Sequence, residues 1–411
     1  MIKERVDLQM YNNKKLLILG GSEFQIPLVL KAKELGIITY IVDINSDAPA
    51  LKYADYSYQL SVKNKEEILK IAKEIMPDGV TVGMVDLAIP TYAYIAKELN
   101  LPGISIDSAL KATNKYEMIK SFKENNVPHP KFEYISKDFI NYDLNKTFKF
   151  PVIVKPIDMA GSRGIYLVNN KNELINAIAE SSKISDTGNL LIEEYMTGPE
   201  VSVELVVKDG IPHVIQITDK TTTGAPHFAE TGHLQPSTLS LDIKEKISEV
   251  ACCAAKSVGL INSLGHAEIK VTDEGPKMVE IGARAGGDAI GEQLIFLSTG
   301  VDFSQIAIDI ALGVEINIPD KKEKASCIRF IQSKNGILKN VSGINDAEKI
   351  ENVFKVHFNG VVGKKYDDVI DNSGRVGYVI TKGDDAVTAL NACNKAIDCI
   401  KVEYEDRCNN E

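Results

Sequence analysis

Short apolar runs alternate with amphipathic stretches over roughly the first hundred residues. Leu16-Leu17-Ile18-Leu19 has the length of one buried strand and ends in Gly20-Gly21. Phe24 to Leu35 carries apolar residues at helical spacing and closes on Gly36, and Ile38 to Val42 returns as a strand. Lys65 to Ile75 predicts a further helix and Gly79-Val80-Thr81-Val82 a further strand. Strands alternating with helices at this spacing predict a parallel sheet covered on both faces. The pattern changes near residue 112. Asn114-Lys115-Tyr116-Glu117 opens a helix that ends near Asn126, before Val127-Pro128-His129-Pro130. Beyond it the pattern divides into a small α+β lobe and a larger α+β unit. A C-terminal segment carries strands at Ala325 to Ile331 and Gly374 to Ile380 and a helix at Ala386 to Ile400. The expected units are 1–112, 113–191, 192–319 and 320–411.

Length and composition narrow the class. A chain of 411 residues exceeds a single core, and 44% apolar with 25% charged residues is ordinary for a globular protein. The apolar runs are strand-sized, so no membrane span is expected, and the first residues lack the apolar core of a signal peptide. The net charge of -10 argues against a nucleic-acid partner. Six cysteines form no CxxC pair and do not cluster with histidines, which favours reduced thiols and a cytoplasmic protein over a zinc site. Cys252 and Cys253, within a helical run, are expected in the core.

Four segments carry candidate chemistry. A strand from Gly265 to Val271 holds Glu268, turns at Asp273-Glu274-Gly275-Pro276, and returns as Lys277 to Ala283 with Glu280 on it. A hairpin of this length sets two carboxylates side by side, an arrangement that a cation such as Mg²⁺ relieves. Arg284 follows as a fixed cation for a phosphoryl or carboxylate oxygen. Lys155 ends the apolar strand Phe150 to Pro156, and Ala160-Gly161-Ser162-Arg163-Gly164 follows. A lysine aimed at phosphates with a loop of backbone amides suits a nucleotide triphosphate, although a simple hairpin turn fits the same residues. Glu193-Glu194-Tyr195-Met196, then Glu200, form a connector able to present backbone groups to an adenine and a carboxylate to a ribose. Finally, Thr218 to Ser237 is polar, contains two histidines, and is expected to be an irregular loop outside the core. A dinucleotide reading of Gly20-Gly21 with Asp43 is weak, because the G-x-G-x-x-G spacing is absent; a turn whose amides hold a small anion fits better.

In order and spacing, Lys115, Lys155 with its glycine loop, Glu193 to Met196, Glu200, Glu268, Glu280 and Arg284 resemble the ATP-grasp superfamily, and within it the carboxylate-amine ligases. The resemblance covers nearly the whole chain. It implies an ATP-grasp fold of the α/β and α+β classes: an N-terminal parallel domain, a small lid lobe, a large lobe and a C-terminal α+β segment. It implies ATP phosphate contacts from Lys115 and Lys155, a lid loop at Ser162, Arg163 and Gly164, and a nucleotide pocket using Glu193, Glu194, Tyr195, Met196 and Glu200. Glu268 and Glu280 would hold Mg²⁺, with Mn²⁺ as the alternative ion. Many members carry Asn where this chain has Gly282, so one metal ligand would be replaced by water or a bidentate Glu280. Glu230-x-x-His233 followed by Arg284 is similar to the substrate site of bacterial L-amino-acid ligases, placing Glu230, His233, Arg284 and Gly287 near substrate, with Arg284 and Lys155 taking part in transfer. A zinc ion on His227 and His233 is disfavoured for want of a further ligand nearby.

The resemblance therefore implies amide formation, with dipeptide synthesis as the expected reaction, through an acylphosphate that leaves ADP and phosphate. The partners would be small molecules, and a homodimer is compatible with the family. The rival within the superfamily is a purine-pathway enzyme activating formate or bicarbonate for an aminoribonucleotide, which calls for phosphate-binding residues in the N-terminal domain. A biotin carboxylase fits less well, and an ATP-binding regulator without turnover is the rival from another class.

Overall fold

The structure is a computed structural model that describes residues 8–137, 149–161, 163–225 and 227–405. Ser162 of the lid loop and Cys408 lie outside the described residues. Three main sheets build the molecule. In the N-terminal sheet the order is Tyr56–Gln59, Ile38–Asp43, Lys15–Leu19, Gly79–Thr81, all parallel. Leu16, Leu17, Ile18 and Leu19 are fully buried, because helices cover both faces of the central strand. The helix Lys65–Ile75 turns Ile68, Leu69, Ala72 and Ile75 inward at a spacing of three to four residues.

A small antiparallel sheet follows, ordered Phe132–Ile135, Leu190–Glu194, Val152–Pro156, Tyr166–Val168. It packs on the helix Lys171–Ile184 around a core of its own that includes Val152, Val154, Leu174 and Ile192. Leu190–Glu194 lies wholly in this sheet, so the small lobe extends past residue 191. The large sheet has eight strands. Gly275–Gly282, Ser263–Thr272, Glu200–Lys208, Ile211–Thr222, Glu230–Gln235, Ala325–Gln332, Arg375–Gly383 and Val353–Phe358 lie in that order. The last three come from the C-terminal segment, which therefore continues the large sheet. A three-stranded sheet, Lys365–Tyr366, Gly336–Ser342 and Lys401–Glu405, completes that end.

Three sequence expectations are corrected. Thr218 to Ser237 is largely sheet, since it supplies the end of Ile211–Thr222 and all of Glu230–Gln235. Its polar residues enter the core because they satisfy one another: the amide of Gln235 donates to Thr218 Oγ1 at 2.9 Å, and Ser298 Oγ donates to Gln235 Oε1 at 2.8 Å. Cys253 is exposed on the helix Leu241–Ser257, while its neighbour Cys252 is half-buried. In the first turn, the Gly21 amide does not await an outside anion; it donates to Asp43 Oδ2 at 2.7 Å. No single helix among the described residues is long and apolar enough to cross a membrane. One bent pair, Ile290–Thr299 with Phe303–Leu312, meets the length and composition, but most of the second helix packs inside the protein.

Candidate active site

A cavity of about 170 Å³ opens between the small and large sheets. Lys155 and Glu193 meet in it, Nζ to Oε2 at 2.7 Å, both nearly buried. They come from adjacent antiparallel strands, in which Ile153 stands opposite Glu193. Tyr195, Met196, Glu200, Gly161 and Arg163 line the same space. Glu194 lines it as well and pairs with Lys277 at 2.7 Å, which ties the connector to the carboxylate hairpin. Arg163 is exposed and donates from Nε to the Ala160 carbonyl at 3.0 Å. Gly164, with φ of +74°, closes the loop so tightly that a Cβ there would lie 2.9 Å from Pro156 Cγ. Lys115 enters from the first turn of the helix Lys115–Glu124, whose N-terminal amides are capped by Asn114. Its Nζ donates to the Met159 carbonyl at 2.8 Å and pairs with Glu280 at 2.9 Å. Burial opposes the charge on Lys115, but Glu280 outweighs it and raises the lysine pKa.

The hairpin sets Glu268 directly opposite Glu280. Each carboxylate has its own lysine: Lys115 on Glu280 and Lys220 on Glu268, at 3.0 Å. Lys220 also contacts Glu200 at 2.8 Å and Glu230 at 2.7 Å, and is itself almost buried. Its desolvation is overcome by the three carboxylates, which hold its pKa well above the usual value. Burial likewise works against the Glu268 anion, yet Lys220 and the contact with His266 keep its carboxyl well below the ordinary range. Two facing carboxylates form an all-oxygen donor set suited to a hard divalent ion, and Mg²⁺ commonly completes its shell with water and phosphate oxygens. Gly282 contributes no side chain to that set.

Beyond Lys115 and Glu280 lies a second cavity of about 320 Å³, walled by Leu87, Pro90, Leu110, Met118 and Ile281. Arg284 sits on its wall, though not as a free cation. Its Nε donates to Asp86 Oδ1 at 2.7 Å and Nη2 to Oδ2 at 2.5 Å. This bidentate pair joins the turn after Gly79–Thr81 to the loop after the hairpin. Lys115, Met159, Ala160 and Glu280 line both cavities, so the two spaces adjoin.

Glu230 and His233 fall on one strand of the large sheet. Glu230 bonds Lys220 at 2.7 Å and Arg375 at 3.2 Å, and Asn372 Nδ2 donates to it at 3.2 Å. Arg375 also pairs with Asp288 at 2.7 Å and stacks 3.9 Å from the centre of the Phe330 ring. His233 is buried with neither ring nitrogen hydrogen-bonded, 3.7 Å from Glu230 and 3.6 Å from Asp288. Glu230, His233 and Asp288 have metal-ligand spacing, and Lys220 and Arg375 pair with the two carboxylates. Gly287 borders open space, since an added Cβ there would meet nothing within 4 Å.

Residues 148–292 match the ATP-grasp domain, and residues 329–405 match the L-amino acid ligase C-terminal domain 2. The chain therefore carries an ATP-grasp domain followed by an L-amino acid ligase C-terminal domain. This ATP-grasp protein is 26% identical over 411 aligned positions to a formate-dependent phosphoribosylglycinamide formyltransferase of Prochlorococcus marinus, covering 95% of the chain and 97% of that protein. It is 28% identical to the alanine–anticapsin ligase of Bacillus subtilis over 62% of the chain and 58% of that protein. Among solved structures, the L-amino acid ligase of Bacillus licheniformis shares the fold with a TM-score of 0.83 at 21% identity, covering 96% of this chain and all (100%) of that one. A biotin carboxylase domain of Hydrogenobacter thermophilus, solved with MgADP, shares it at 0.74 and 21% identity, over 95% and 91% of the chains. Enzymes of this family form C–N bonds and bind ATP with Mg²⁺.

Sequence reading missed Asp86, Lys220, Asn372, Arg375 and Asp288. One signal was available for Asp86. It follows the C-terminal end of a parallel strand, where ligands of open α/β sheets gather. Lys220 was hidden by the mistaken loop assignment of Thr218 to Ser237. Arg375 lies 145 positions from Glu230, with no local pattern to link them.

Proposed function

We propose that this protein is an ATP-dependent carboxylate-amine ligase that joins two free amino acids. The observation that carries this reading is the Asp86–Arg284 pair on a cavity adjoining the candidate metal carboxylates. A free amino acid is a zwitterion, and a fixed carboxylate beside a fixed guanidinium is complementary to it. Asp86 would accept its ammonium, leaving its carboxylate toward Arg284, Lys115 and the γ-phosphoryl group. One carboxylate oxygen would attack phosphorus and ADP would leave. The amine of the second amino acid would then attack the acyl carbon, expel phosphate and lose a proton. Glu230, held by Lys220, Arg375 and Asn372, would serve that second amine, with His233 and Gly287 beside it.

Lys155, Lys115 and the loop through Arg163 and Gly164 would contact the phosphates, with Glu193 fixing Lys155. Tyr195 and Met196 would meet the adenine and Glu200 the ribose, and Glu194 would anchor that connector through Lys277. Glu268 and Glu280 would hold Mg²⁺, which supplies charge neutralisation at the phosphoryl oxygens. Lys155 and Arg284 would meet the charge that develops during transfer. The N-terminal domain, the small lobe extended through Glu194, the large lobe and the C-terminal segment would act as substrate domain, lid, catalytic lobe and closing segment.

The full-length likeness to a formate-dependent formyltransferase motivates the second reading, formate activation for an aminoribonucleotide. Against it, the first-turn amide of Gly21 is engaged by Asp43 rather than free for a substrate phosphate. Phosphate release from ATP across a panel of amino acid pairs, with products identified by mass spectrometry, tests the proposal. Stimulation by amino acid pairs with a dipeptide product is expected. Stimulation only by formate with an aminoribonucleotide would replace it with the second reading.

A further inference from the structure

Glu204 is fully buried in the middle of Glu200–Lys208. Directly across from it on Ser263–Thr272 is His266, and across from His266 is Gly282. The next row on the same face, two residues along, reads Ser202, Glu268, Glu280. The period of the sheet therefore sets Glu204 and His266 beside the carboxylate pair, and Gly282 adds no side chain to their row. Glu204 uses both oxygens. Oε1 meets His266 Nδ1, and Oε2 accepts the Gly286 backbone N–H at 2.9 Å. The other ring nitrogen, His266 Nε2, stands 3.6 Å from Glu268 Oε1, within ion-pair reach. Gly286 is shaped for this approach, because a Cβ there would lie 2.5 Å from Glu204 Oε1 and 2.8 Å from His266 Nδ1. An ionised carboxylate at this depth is costly unless its partners are fixed. Those partners are one side chain on the carboxylate hairpin and one amide in the loop carrying Arg284 and Asp288.

We propose that Glu204 and His266 are positioning residues for the metal carboxylate. His266 orients Glu268, and Glu204 locks both His266 and the Arg284-to-Asp288 loop into one frame. Neither residue touches substrate. This inference rests on the reading of Glu268 as a metal ligand. It makes the placement of the metal and of Arg284 interdependent, through a buried carboxylate that faces neither cavity.

The two ring nitrogens can be tested separately. His266→Gln carries an amide to about the Nε2 position and keeps a donor toward Glu268, whereas His266→Asn keeps only the contact with Glu204. Mn²⁺ binding by the full chain with ADP, followed by electron paramagnetic resonance, is the readout, beside metal-free ADP affinity and thermal unfolding. Loss of an outer partner of a metal ligand costs roughly 10- to 100-fold in metal affinity. That loss is expected for His266→Asn, with most of it recovered in His266→Gln and ADP affinity unchanged in both. Glu204→Gln should also weaken Mn²⁺ binding, and serves if either His266 variant fails to fold. Equal losses in the two His266 variants, tracking their melting temperatures, would make the pair a general strut and overturn the proposal. Glu268→Gln is the control. If it leaves Mn²⁺ binding intact, the metal reading fails and this inference with it. If it weakens binding while the His266 and Glu204 variants do not, only the positioning role falls.

Discussion

Glu280→Gln is expected to lower turnover by about a thousandfold, the size of effect that several kcal/mol of lost metal stabilisation produces. The substitution preserves volume and removes one of the two charges that face each other across the hairpin. It also takes the counter-ion from Lys115 and leaves the ammonium its hydrogen bond to the Met159 carbonyl. The proposed adenine side of the cavity, around Tyr195 and Met196, follows a strand of a different sheet and should be unaffected. Metal-free ADP affinity should therefore stay near its original value while kcat collapses. Steady-state kinetics with calorimetric ADP binding checks both halves. A variant retaining more than about a tenth of its activity would show that Glu280 holds no catalytic metal.

Asp86→Asn should reduce kcat/KM for the activated amino acid by roughly 10- to 100-fold, while the KM for ATP changes little. A hydrogen bond to a charged group contributes about 1.5–3 kcal/mol, and each 1.4 kcal/mol is a factor of ten. The variant keeps its shape but strips Arg284 of the carboxylate that grips it through two nitrogens. It also removes the only carboxylate of this pair able to meet a substrate ammonium. Kinetics with the amino acid and ATP varied independently separate the two effects. Equal losses for both substrates would show that Asp86 merely holds the domains together.

The sequence was most legible where local pattern and final environment agree. Leu16 to Leu19 is apolar throughout because that strand is covered on both faces, and Lys65 to Ile75 shows its one apolar stripe. The carboxylate hairpin was also legible, since a short antiparallel connection fixes register locally and so sets Glu268 opposite Glu280. Thr218 to Ser237 was misread for a physical reason. Its polar residues fill interior strand positions, and the partners that make this affordable, such as Ser298 and Arg375, come from distant parts of the chain. Arg284 shows the same limit. Its charge was evident beside Glu280, but nothing local indicated that Asp86, 198 positions earlier, would occupy it. Pairing between distant charges is decided by the fold, and so is whether a guanidinium stands free or paired.

The most direct measurement uses an amino acid substrate labelled with ¹⁸O in its carboxylate. If that carboxylate attacks the γ-phosphoryl group, each amide bond formed must transfer one labelled oxygen to inorganic phosphate, with ADP as the nucleotide product. One ¹⁸O in phosphate per dipeptide, read by mass spectrometry or ³¹P NMR shifts, is the expected result. Label appearing in AMP, with pyrophosphate released instead of phosphate, would contradict transfer through an acylphosphate.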